Sequence, residues 1–462
     1  MSKYIFLLVA ILSSKTTIAQ NTNQLLELHY ENIKQLYMAR GVSNDWSNNG
    51  IVEESEIKEL ISYYGSSKNK NNVGILLYSH YSDTLSVLLY RLNNKNLTKL
   101  EVKHSIDKES LNLTIAKLNN SLSNPYYKNR VHERGVNIVS EDNTPLADAI
   151  AEAQKILLPF TDSLISLNHL IIVPTLTIGT IPFAAFPFSD SLRLIDHLSI
   201  SVAPSILEVM VSNYMNGHTL RGNFIRGERR AEEVSYNFRN ALLVANPIYP
   251  TNLNQNFPLL PGTLSEINTV IKNIDGGNYN LLLGKEANPA NVLSNIHSRD
   301  LLYFATHGIS SAENALDSSF LIFAYDSSKS YLISSREIMD LRKTSELNAD
   351  LVILSACQSG LGVQHQGGII GLARAFQIAG ANHVVMSMWS INDKETAILM
   401  GFFFDNLQNS AYLMPHEALR KAILKYRREI NDDPSVWAAF TIMDIPYQTK
   451  SPLPNGRGLV FY

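Results

Sequence analysis

Residues 351–360 read LVILSACQSG, an apolar run that gives way to small and polar residues and contains the chain's one cysteine, Cys357. Residues 301–308 read LLYFATHG and share this texture, with His307 shortly after the apolar run. Short, near-continuous apolar runs are typical of central parallel strands, which are buried on both faces. We therefore predict two buried strands of an α/β sheet, each of which ends in a chemically useful side chain.

Strands and helices alternate along the same part of the chain. Leu170–Val173, Ala241–Ala245 and His383–Met388 have the composition of strands, whereas Ile369–Gln377 and Thr396–Leu407 have helical spacing. Such alternation favours a mostly parallel sheet with helices on its faces. We assign this α/β unit to residues 170–462.

The part of the chain before residue 170 has a different texture. Residues 20–66 predict a helical N-terminal segment, with helical spacing at Thr22–Arg40 and Glu53–Tyr64. Residues 73–165 begin with three short runs that predict a β-meander, and two helical patterns follow. The runs are Val73–Ser79, Leu85–Leu92 and Leu97–Lys103, and the helical patterns are Lys108–Ser121 and Leu146–Leu158.

The first twenty residues have the pattern of an export signal. Lys3 precedes the apolar run Tyr4–Leu12, which is too short to span a bilayer and suits the core of a signal peptide. We expect residues 1–19 to be removed after Ala19 and the mature chain to be periplasmic or extracellular. A membrane-tethered or buried N-terminal helix is the alternative. No second stretch of about 18 apolar residues follows, so we expect no stable membrane insertion after cleavage.

Composition limits the classes of function. The chain has 462 residues, of which 45% are hydrophobic and 18% charged, which excludes a disordered protein. Its 39 Lys and Arg against 42 Asp and Glu give a net charge of −3 with no basic block, so nucleic acid is not a favoured partner. One cysteine cannot form an internal disulfide or a thiolate metal cluster. Cys357 is therefore either a small buried hydrophobe or a reactive thiol.

The two strand ends carry a candidate catalytic pair. If the strands are parallel neighbours, His307 and Cys357 emerge at the same edge of the sheet. An imidazole there can take the thiol proton and later protonate a leaving amine. We expect Gly308 to allow a tight turn after His307, and the backbone amides of Gly308 and Cys357 to face a developing oxyanion. The alternatives are a buried cysteine and a structural histidine.

A third segment, residues 382–395, predicts the wall of the same pocket. A strand leads into Trp389 and Ser390, and the acidic residues Asp393 and Glu395 follow. If this strand lies beside the cysteine strand, an acidic wall there would favour a basic substrate side chain. Alternatively, Asp393 caps the helix that begins near it. The two roles are compatible.

These residues resemble the CHAT domain, a bacterial relative of the caspase-like (clan CD) cysteine peptidases, and the resemblance extends over residues 73–462. His307 lies 50 residues before Cys357, about the separation found in caspases. Several segments match the pattern of the family in order. They are Ile171-Ile172-Val173-Pro174, Ile181-Pro182-Phe183, Ala203-Pro204-Ser205, Leu260-Pro261-Gly262 with Glu266, Gly284-Lys285-Glu286-Ala287, Phe304-Ala305-Thr306-His307-Gly308, Leu354-Ser355-Ala356-Cys357-Gln358-Ser359-Gly360-Leu361-Gly362, Gly371-Leu372-Ala373-Arg374-Ala375-Phe376, Ala379-Gly380-Ala381 and Met388-Trp389-Ser390-Ile391-Asn392-Asp393.

The resemblance implies a fold and a chemistry. The fold is an α/β caspase-like three-layer sandwich with a central, mostly parallel sheet, here preceded by a short helical segment and a β-meander. His307 is implied as the general base and acid, and Cys357 as the nucleophile of an acyl-enzyme mechanism. The segment at Trp389–Asp393 is similar to one in separases, which cleave after arginine.

The sequence departs from the pattern of the family at several positions. Gln358-Ser359 stands where the family often has Glu-Thr, and Gln366-Gly367-Gly368 lacks the acid of a Gly-Glu-Gly. The long helical repeats that often precede the domain are reduced here to two short helical segments. Export is also unusual for this family.

Three hypotheses follow for the function. The first is an exported cysteine endopeptidase that acts on a protein or peptide substrate, with cleavage after basic residues as its expected preference. The second is a catalytically silent module that keeps the fold and binds protein, and the third is a cysteine acyltransferase or transpeptidase. No G-x-S-x-G or H-E-x-x-H pattern is present, so we expect neither a serine nucleophile, nor a metal, nor a cofactor.

Overall fold

An eleven-stranded sheet organises the part of the chain that the structure describes. The structure is a computed structural model and describes residues 26–27, 54–66, 72–94, 96–127, 145–176, 178–206, 236, 238–251, 257–274, 277–309, 319–328, 330–345, 347, 349–356, 363–365, 368–389, 391–409 and 414–444. The strands are β1 (Val73–Tyr81), β2 (Thr84–Asn93), β3 (Asn96–Ser105), β4 (His169–Val173), β5 (Ser199–Val202), β6 (Asn240–Pro247), β7 (Asn278–Gly284), β8 (Leu301–Ala305), β9 (His307–Ile309), β10 (Phe320–Ile322), β11 (Leu332–Ser334), β12 (Leu351–Leu354), β13 (Val363–His365), β14 (Gly368–Ile370), β15 (His383–Ser387) and β16 (Phe440–Asp444).

Helices cover both faces of this sheet. The α-helices are α1 (Glu54–Ser66), α2 (Lys108–Tyr127), α3 (Leu146–Leu157), α4 (Leu194–His197), α5 (Thr263–Lys272), α6 (Pro289–Asn295), α7 (Ser335–Asp340), α8 (Leu372–Ile378), α9 (Asp393–Asn409), α10 (Pro415–Glu429) and α11 (Pro434–Trp437). Helices α2, α3, α5, α9 and α10 contribute to one apolar cluster, and α1, α6, α7 and α8 to the other. Alternate residues of the central strands divide between the same two clusters, as pleated strands require. The result is the predicted three-layer α/β sandwich.

The sheet contains two parallel blocks that run in opposite directions. Its strand order is β3-β2-β1-β4-β5-β16-β15-β12-β8-β6-β7. Strands β15, β12, β8, β6 and β7 are parallel to one another, and so are β1, β4, β5 and β16. The blocks meet at the antiparallel pair β15 and β16. The prediction of a mostly parallel sheet is confirmed, and the structure adds the reversal of direction between the blocks.

The predicted meander is also present. Strands β1, β2 and β3 pair antiparallel in sequence order, and β1 then pairs in parallel with β4. The meander therefore extends the main sheet and does not form a separate one. Helix α1 covers it, because Ile57, Leu60 and Ile61 pack into the cluster that holds Leu88 and Tyr90.

Several predicted element boundaries differ from the structure. The sequence predicts one helix at Ile369–Gln377, but Ile369 and Ile370 belong to β14, and helix α8 begins only after Gly371. Two β-branched residues next to a glycine favour an extended backbone, which explains the error. Helix α2 continues to Tyr127 instead of ending at Ser121.

Two predictions fall largely on residues outside the described ranges. The signal peptide at residues 1–19 lies outside them, and of the helix predicted at Thr22–Arg40 only Leu26 and Glu27 are described, both helical. Within the described ranges, no helix combines the length and the apolar character that crossing a bilayer requires.

Candidate active site

The two strands with the candidate catalytic pair are parallel neighbours. Strand β8 pairs with β12 so that Phe304 lies opposite Leu354. His307 follows Phe304 by three positions, and Cys357 follows Leu354 by three positions in the sequence. The description of the second strand end stops at Ala356, which is fully buried, so Cys357 lies outside the described residues. The condition on which the catalytic pair depended, parallel adjacency of the two strands, is met.

The exit of β8 is fixed by buried side chains. The hydroxyl of Thr306 donates to the carbonyl of Ile322, and it lies 3.0 Å from the hydroxyl of Tyr249. Strand β9 then pairs antiparallel with β10, with Gly308 opposite Leu321. The chain therefore continues in an extended conformation after His307.

Gly308 does not make the tight turn that the sequence suggested. It lies inside β9, and its φ is not positive. The turn was inferred from the flexibility of glycine, but pairing with residues 320–322 holds the backbone straight. The predicted role of the Gly308 amide toward an oxyanion is untested by this geometry and stays a prediction.

The imidazole of His307 is enclosed and hydrogen-bonded. Only 1% of the residue is exposed, and its ring packs against Tyr249 and Phe257, with centroid distances of 4.8 and 5.5 Å. Its Nε2 lies 2.8 Å from the carbonyl oxygen of Pro258. Because a carbonyl oxygen can only accept, Nε2 carries a proton and donates it. In the neutral ring, Nδ1 is then the nitrogen that can accept a proton.

The segment that supplies this carbonyl, residues 257–263, is tied to the sheet at several points. The Leu260 amide donates at 2.8 Å to the side chain of Asn246, which lies near the end of β6. The Thr263 hydroxyl donates to the Leu260 carbonyl at 2.6 Å. Helix α5 begins here, and its buried Glu266 accepts a hydrogen bond from Tyr303 of β8 at 2.5 Å. These contacts give Leu260-Pro261-Gly262 and Glu266 a structural role, because they hold this segment and the start of helix α5 in place beside the sheet.

Strand β15 lies beside the cysteine strand, as the third predicted segment requires. It pairs in parallel with β12, so that Met386 lies opposite Leu354. The buried hydroxyl of Ser387 donates to the carbonyl of Ala356 at 2.8 Å. This bond anchors the residue that precedes Cys357. Sequence reasoning missed Ser387, because a serine at a strand end has no distinctive pattern.

The predicted substrate-binding residues occupy different environments. Trp389 is buried in the core, and its indole N–H donates to the carbonyl of Ser435 at 2.7 Å, so the structure shows it as a packing residue. Asp393 is the first residue of α9 and is 9% exposed. Glu395 is half-buried, and Ser390 lies outside the described residues. The role of these residues toward a substrate stays a prediction.

The residue that caps helix α9 is Asn392, one position before Asp393. The side chain of Asn392 accepts a hydrogen bond from the Lys394 amide at 2.8 Å, as an N-cap residue does. Asp393 instead packs against Gly262. A Cβ placed on Gly262 would lie 2.2 Å from Cβ of Asp393 and 2.5 Å from its Oδ2.

A second buried polar cluster lies at the other end of β15. His383 at the start of that strand donates through Nδ1 to Asp444 at 2.5 Å, and His416 of α10 contacts the other carboxylate oxygen at 2.8 Å. The hydroxyl of Tyr236 lies 3.0 Å from Nε2 of His383, and the ring of His169 is 3.9 Å from that of His416. Sequence reasoning missed this cluster, whose members are spread over more than 200 residues.

The pKa values in this cluster follow from burial and charge. Burial alone would lower the pKa of His383, but the Asp444 carboxylate outweighs it and raises that pKa. Burial would raise the pKa of Asp444, yet the two imidazoles hold it well below its ordinary range. Burial and then the neighbouring His416 lower the pKa of His169 well below its usual value. The cluster therefore favours a charged His383–Asp444 pair beside a neutral His169.

The described residues contain no group of three or more His, Cys, Asp or Glu side chains arranged to hold a metal ion.

With this geometry, comparison with known proteins identifies the family. The family model of the CHAT domain matches residues 146–444, well over half of the chain. The chain therefore belongs to the CHAT domain family. The meander precedes the matched residues, although it shares their sheet.

The solved structure of separase agrees with this assignment at the level of the fold. Separase from Saccharomyces cerevisiae, in its complex with securin, has a TM-score of 0.51 at 12% identity over 85% of this chain and 30% of that chain. Gingipain R, an arginine-specific cysteine proteinase, has a TM-score of 0.41 at 11% identity over 73% of this chain and 75% of that chain. The fold is a caspase-like α/β sandwich, as predicted.

One curated relative is tetratricopeptide repeat protein 28 from Mus musculus. It is 29% identical over 122 residues, which are 26% of this chain and 5% of that protein. The match therefore spans a small fraction of the relative.

Proposed function

We propose that this CHAT domain protein is a cysteine endopeptidase with Cys357 as nucleophile and His307 as general base. One observation carries the proposal. Strands β8 and β12 are parallel neighbours, and Phe304 lies opposite Leu354. In the sequence, His307 follows Phe304 by three positions and Cys357 follows Leu354 by three positions. Parallel strands of an α/β sheet form sites at their carboxyl ends, where both residues follow.

The hydrogen bond from His307 to Pro258 supports the role of base. Because Nε2 donates to the carbonyl at 2.8 Å, we assign the acceptance of the Cys357 thiol proton to Nδ1. The thiolate sulfur adds to the carbonyl carbon of the scissile peptide, and the oxygen of that carbonyl becomes an oxyanion. As the tetrahedral intermediate collapses, the C–N bond breaks and His307 returns the proton to the leaving amine.

The same groups complete the cycle. Water attacks the thioester of the acyl-enzyme while His307 removes a proton from it, and the C–S bond then breaks with return of that proton to Cys357. We assign the oxyanion to the backbone amides of Gly308 and Cys357. Burial of His307 by Tyr249 and Phe257 supports this chemistry, because it holds one orientation of the imidazole.

We assign the preference for a basic substrate side chain to Asp393, with Glu395 beside it on the same helix. Asp393 follows β15, which is next to the cysteine strand, and it is largely buried. A carboxylate held at low exposure attracts a cation more strongly than one in open solvent. Trp389 supports this wall from the core and does not contact substrate through its indole N–H, which Ser435 already binds. Ser390 is assigned to the wall from its sequence position alone.

Peptide cleavage tests the proposal. We expect the full chain to cleave a peptide library with enrichment for Arg or Lys before the scissile bond. Cys357→Ala should abolish cleavage, and His307→Ala should reduce it by about 100- to 10,000-fold, the usual worth of a general base. His297→Ala is the matched control, since this half-exposed histidine lies before β8.

Thiol labelling is a second test, and its result reports on one residue because the chain has a single cysteine. A peptide electrophile that reacts with thiols can label only Cys357 in this chain. Labelling of the folded protein that depends on His307 supports the endopeptidase. A thiol that reacts only after denaturation would contradict it and support a catalytically silent module. Ligated products in place of cleaved ones would identify an acyltransferase.

We further propose that the protein is exported and that its partner is a protein or peptide substrate outside the cytoplasm. Residues 1–19 carry the proposal, through the apolar run Tyr4–Leu12 after Lys3. Leu7→Arg should interrupt that run and leave the chain inside the cell, uncleaved. N-terminal sequencing of the wild type should begin at Gln20, and an intact Met1 in the exported fraction would contradict cleavage.

A further inference from the structure

Gly262 lies where a side chain has no room. A Cβ on this residue would meet Cβ, Cγ and Oδ2 of Asp393 at 2.2, 2.8 and 2.5 Å. The φ of Gly262 is −63°, a value that any residue adopts, so its backbone conformation does not require glycine. The contact with Asp393 is therefore what excludes a larger residue.

The other end of the same short segment holds His307. Pro258, four positions before Gly262, accepts the Nε2–H of His307, and Phe257 packs against its ring. Between these contacts, the Leu260 amide is fixed by Asn246. One segment thus contacts both His307, the proposed base, and Asp393, whose carboxylate is proposed to bind the basic side chain of the substrate.

We propose that residues 257–263 form a positioning element that sets the distance between the His307 imidazole and the Asp393 carboxylate, with Gly262 as its critical residue. The inference rests on the proposed roles of His307 and Asp393 and adds a specificity function to the segment. The supporting observation is that the segment contacts His307 directly at Pro258 and Asp393 directly at Gly262. Displacement of the segment at Gly262 should therefore change the orientation of the base.

Gly262→Ala tests the element. Carbon atoms in ordinary contact lie about 3.5 Å apart, so a methyl placed 2.2 Å from Asp393 must displace one partner by about 1 Å. Misplacement on this scale can reduce a rate by about 100-fold. We expect kcat/KM for a basic peptide to fall by about that factor, with a lower kcat and a higher KM.

A second substitution restores the space. Asp393→Gly removes the Cβ as well as the carboxylate, whereas Asp393→Ala would keep the clash. Asp393→Gly alone should raise KM for basic peptides and leave kcat near the wild-type value. The double variant Gly262→Ala with Asp393→Gly should recover kcat but not KM, because the added methyl then has room and the carboxylate is absent.

A readout that does not need turnover separates the two proposals. With histidine labelled with ¹⁵N, the ring signals of His307 can be assigned among the 12 histidines by their loss in His307→Gln. Gly262→Ala should shift the Nε2 signal that reports the bond to Pro258, and the double variant should return it toward the wild-type position.

Controls define the outcome that would overturn the inference. Gly401→Ala adds a methyl between the same two helices, α9 and α5, at 3.0 Å from Thr269, and should move neither the His307 signal nor KM. Each variant is measured at a temperature at which it is folded to the same extent as the wild type. If Gly262→Ala leaves the His307 signal unchanged, or if the double variant does not restore it, the positioning element is refuted. A wild type that cleaves no peptide would refute the proposed function instead, and the His307 signals would still decide this inference.

Discussion

Asp444→Asn should destabilise the fold in a way that depends on pH. The carboxylate is fully buried and contacts His383 and His416 at 2.5 and 2.8 Å, and its substitution leaves two buried imidazoles without their anion. Removal of one partner from a buried ion pair costs about 3–5 kcal/mol. Because the substitution keeps the shape of the side chain and one acceptor oxygen, we expect a loss near the lower end, about 3 kcal/mol at pH 6.

The direction of the pH dependence follows from the two shifted pKa values. The pKa of Asp444 is lowered, so its contribution is present above the unfolded value of about 3.9 and is lost as the pH falls toward its folded value. The pKa of His383 is raised, so its contribution is complete below about 6.5 and is lost as the pH rises through its folded value. The stability difference between wild type and Asp444→Asn should be largest between about pH 4 and 6.5.

Urea unfolding at a series of pH values measures this difference. Asp326→Asn is the matched control. Its carboxylate also has a lowered pKa, but the cause is hydrogen bonding to Ser328 and Ser330 within one turn. We expect it to change stability by about 0.5 kcal/mol or less, the usual range for a surface substitution. A difference for Asp444→Asn that stays constant from pH 4 to 9 would refute the reasoning about the charged pair.

Two further substitutions near the strand ends have defined outcomes. Ser387→Ala leaves the buried carbonyl of Ala356 without this donor, so we expect a loss of about 1–2 kcal/mol in urea unfolding. Its kcat should also fall while KM stays near the wild-type value, and an unchanged kcat would show that the bond does not position the nucleophile. Tyr249→Phe keeps the ring that packs on His307 and should retain most peptide cleavage. Tyr249→Leu should lower the rate of cleavage by at least about 10-fold, because the imidazole is then less ordered. Equal activity of the two variants would count against this packing role.

The architecture could be predicted from the sequence, because its central strands are continuous apolar runs. Leu301–Ala305 and Leu351–Leu354 are apolar throughout, and both are fully buried in the structure. Near-continuous apolar runs of this kind are typical of central strands of a parallel sheet, which are buried on both faces. The texture left the adjacency of β8 and β12 as a condition, and the structure supplies it.

The details of the site were beyond the sequence for identifiable reasons. The partner of His307 is the backbone carbonyl of Pro258, 49 residues away, and a carbonyl has no sequence signature. Glycine also has more than one use. Gly308 suggested a turn but lies in a strand, whereas Gly262 has an ordinary φ and is required for close packing. Such distinctions depend on which segments meet in space.

The pairing of β1 with β4 has a practical consequence for work on the isolated domain. A fragment that starts at residue 146, where the family match begins, would lack β1 to β3 and helices α1 and α2. It would leave the edge of β4 without its partner and uncover apolar residues that now face Leu76 and Tyr78. Bare strand edges recruit other chains, so such a fragment should aggregate. A soluble truncation should begin before Glu54, which retains the three strands and the helix that covers them.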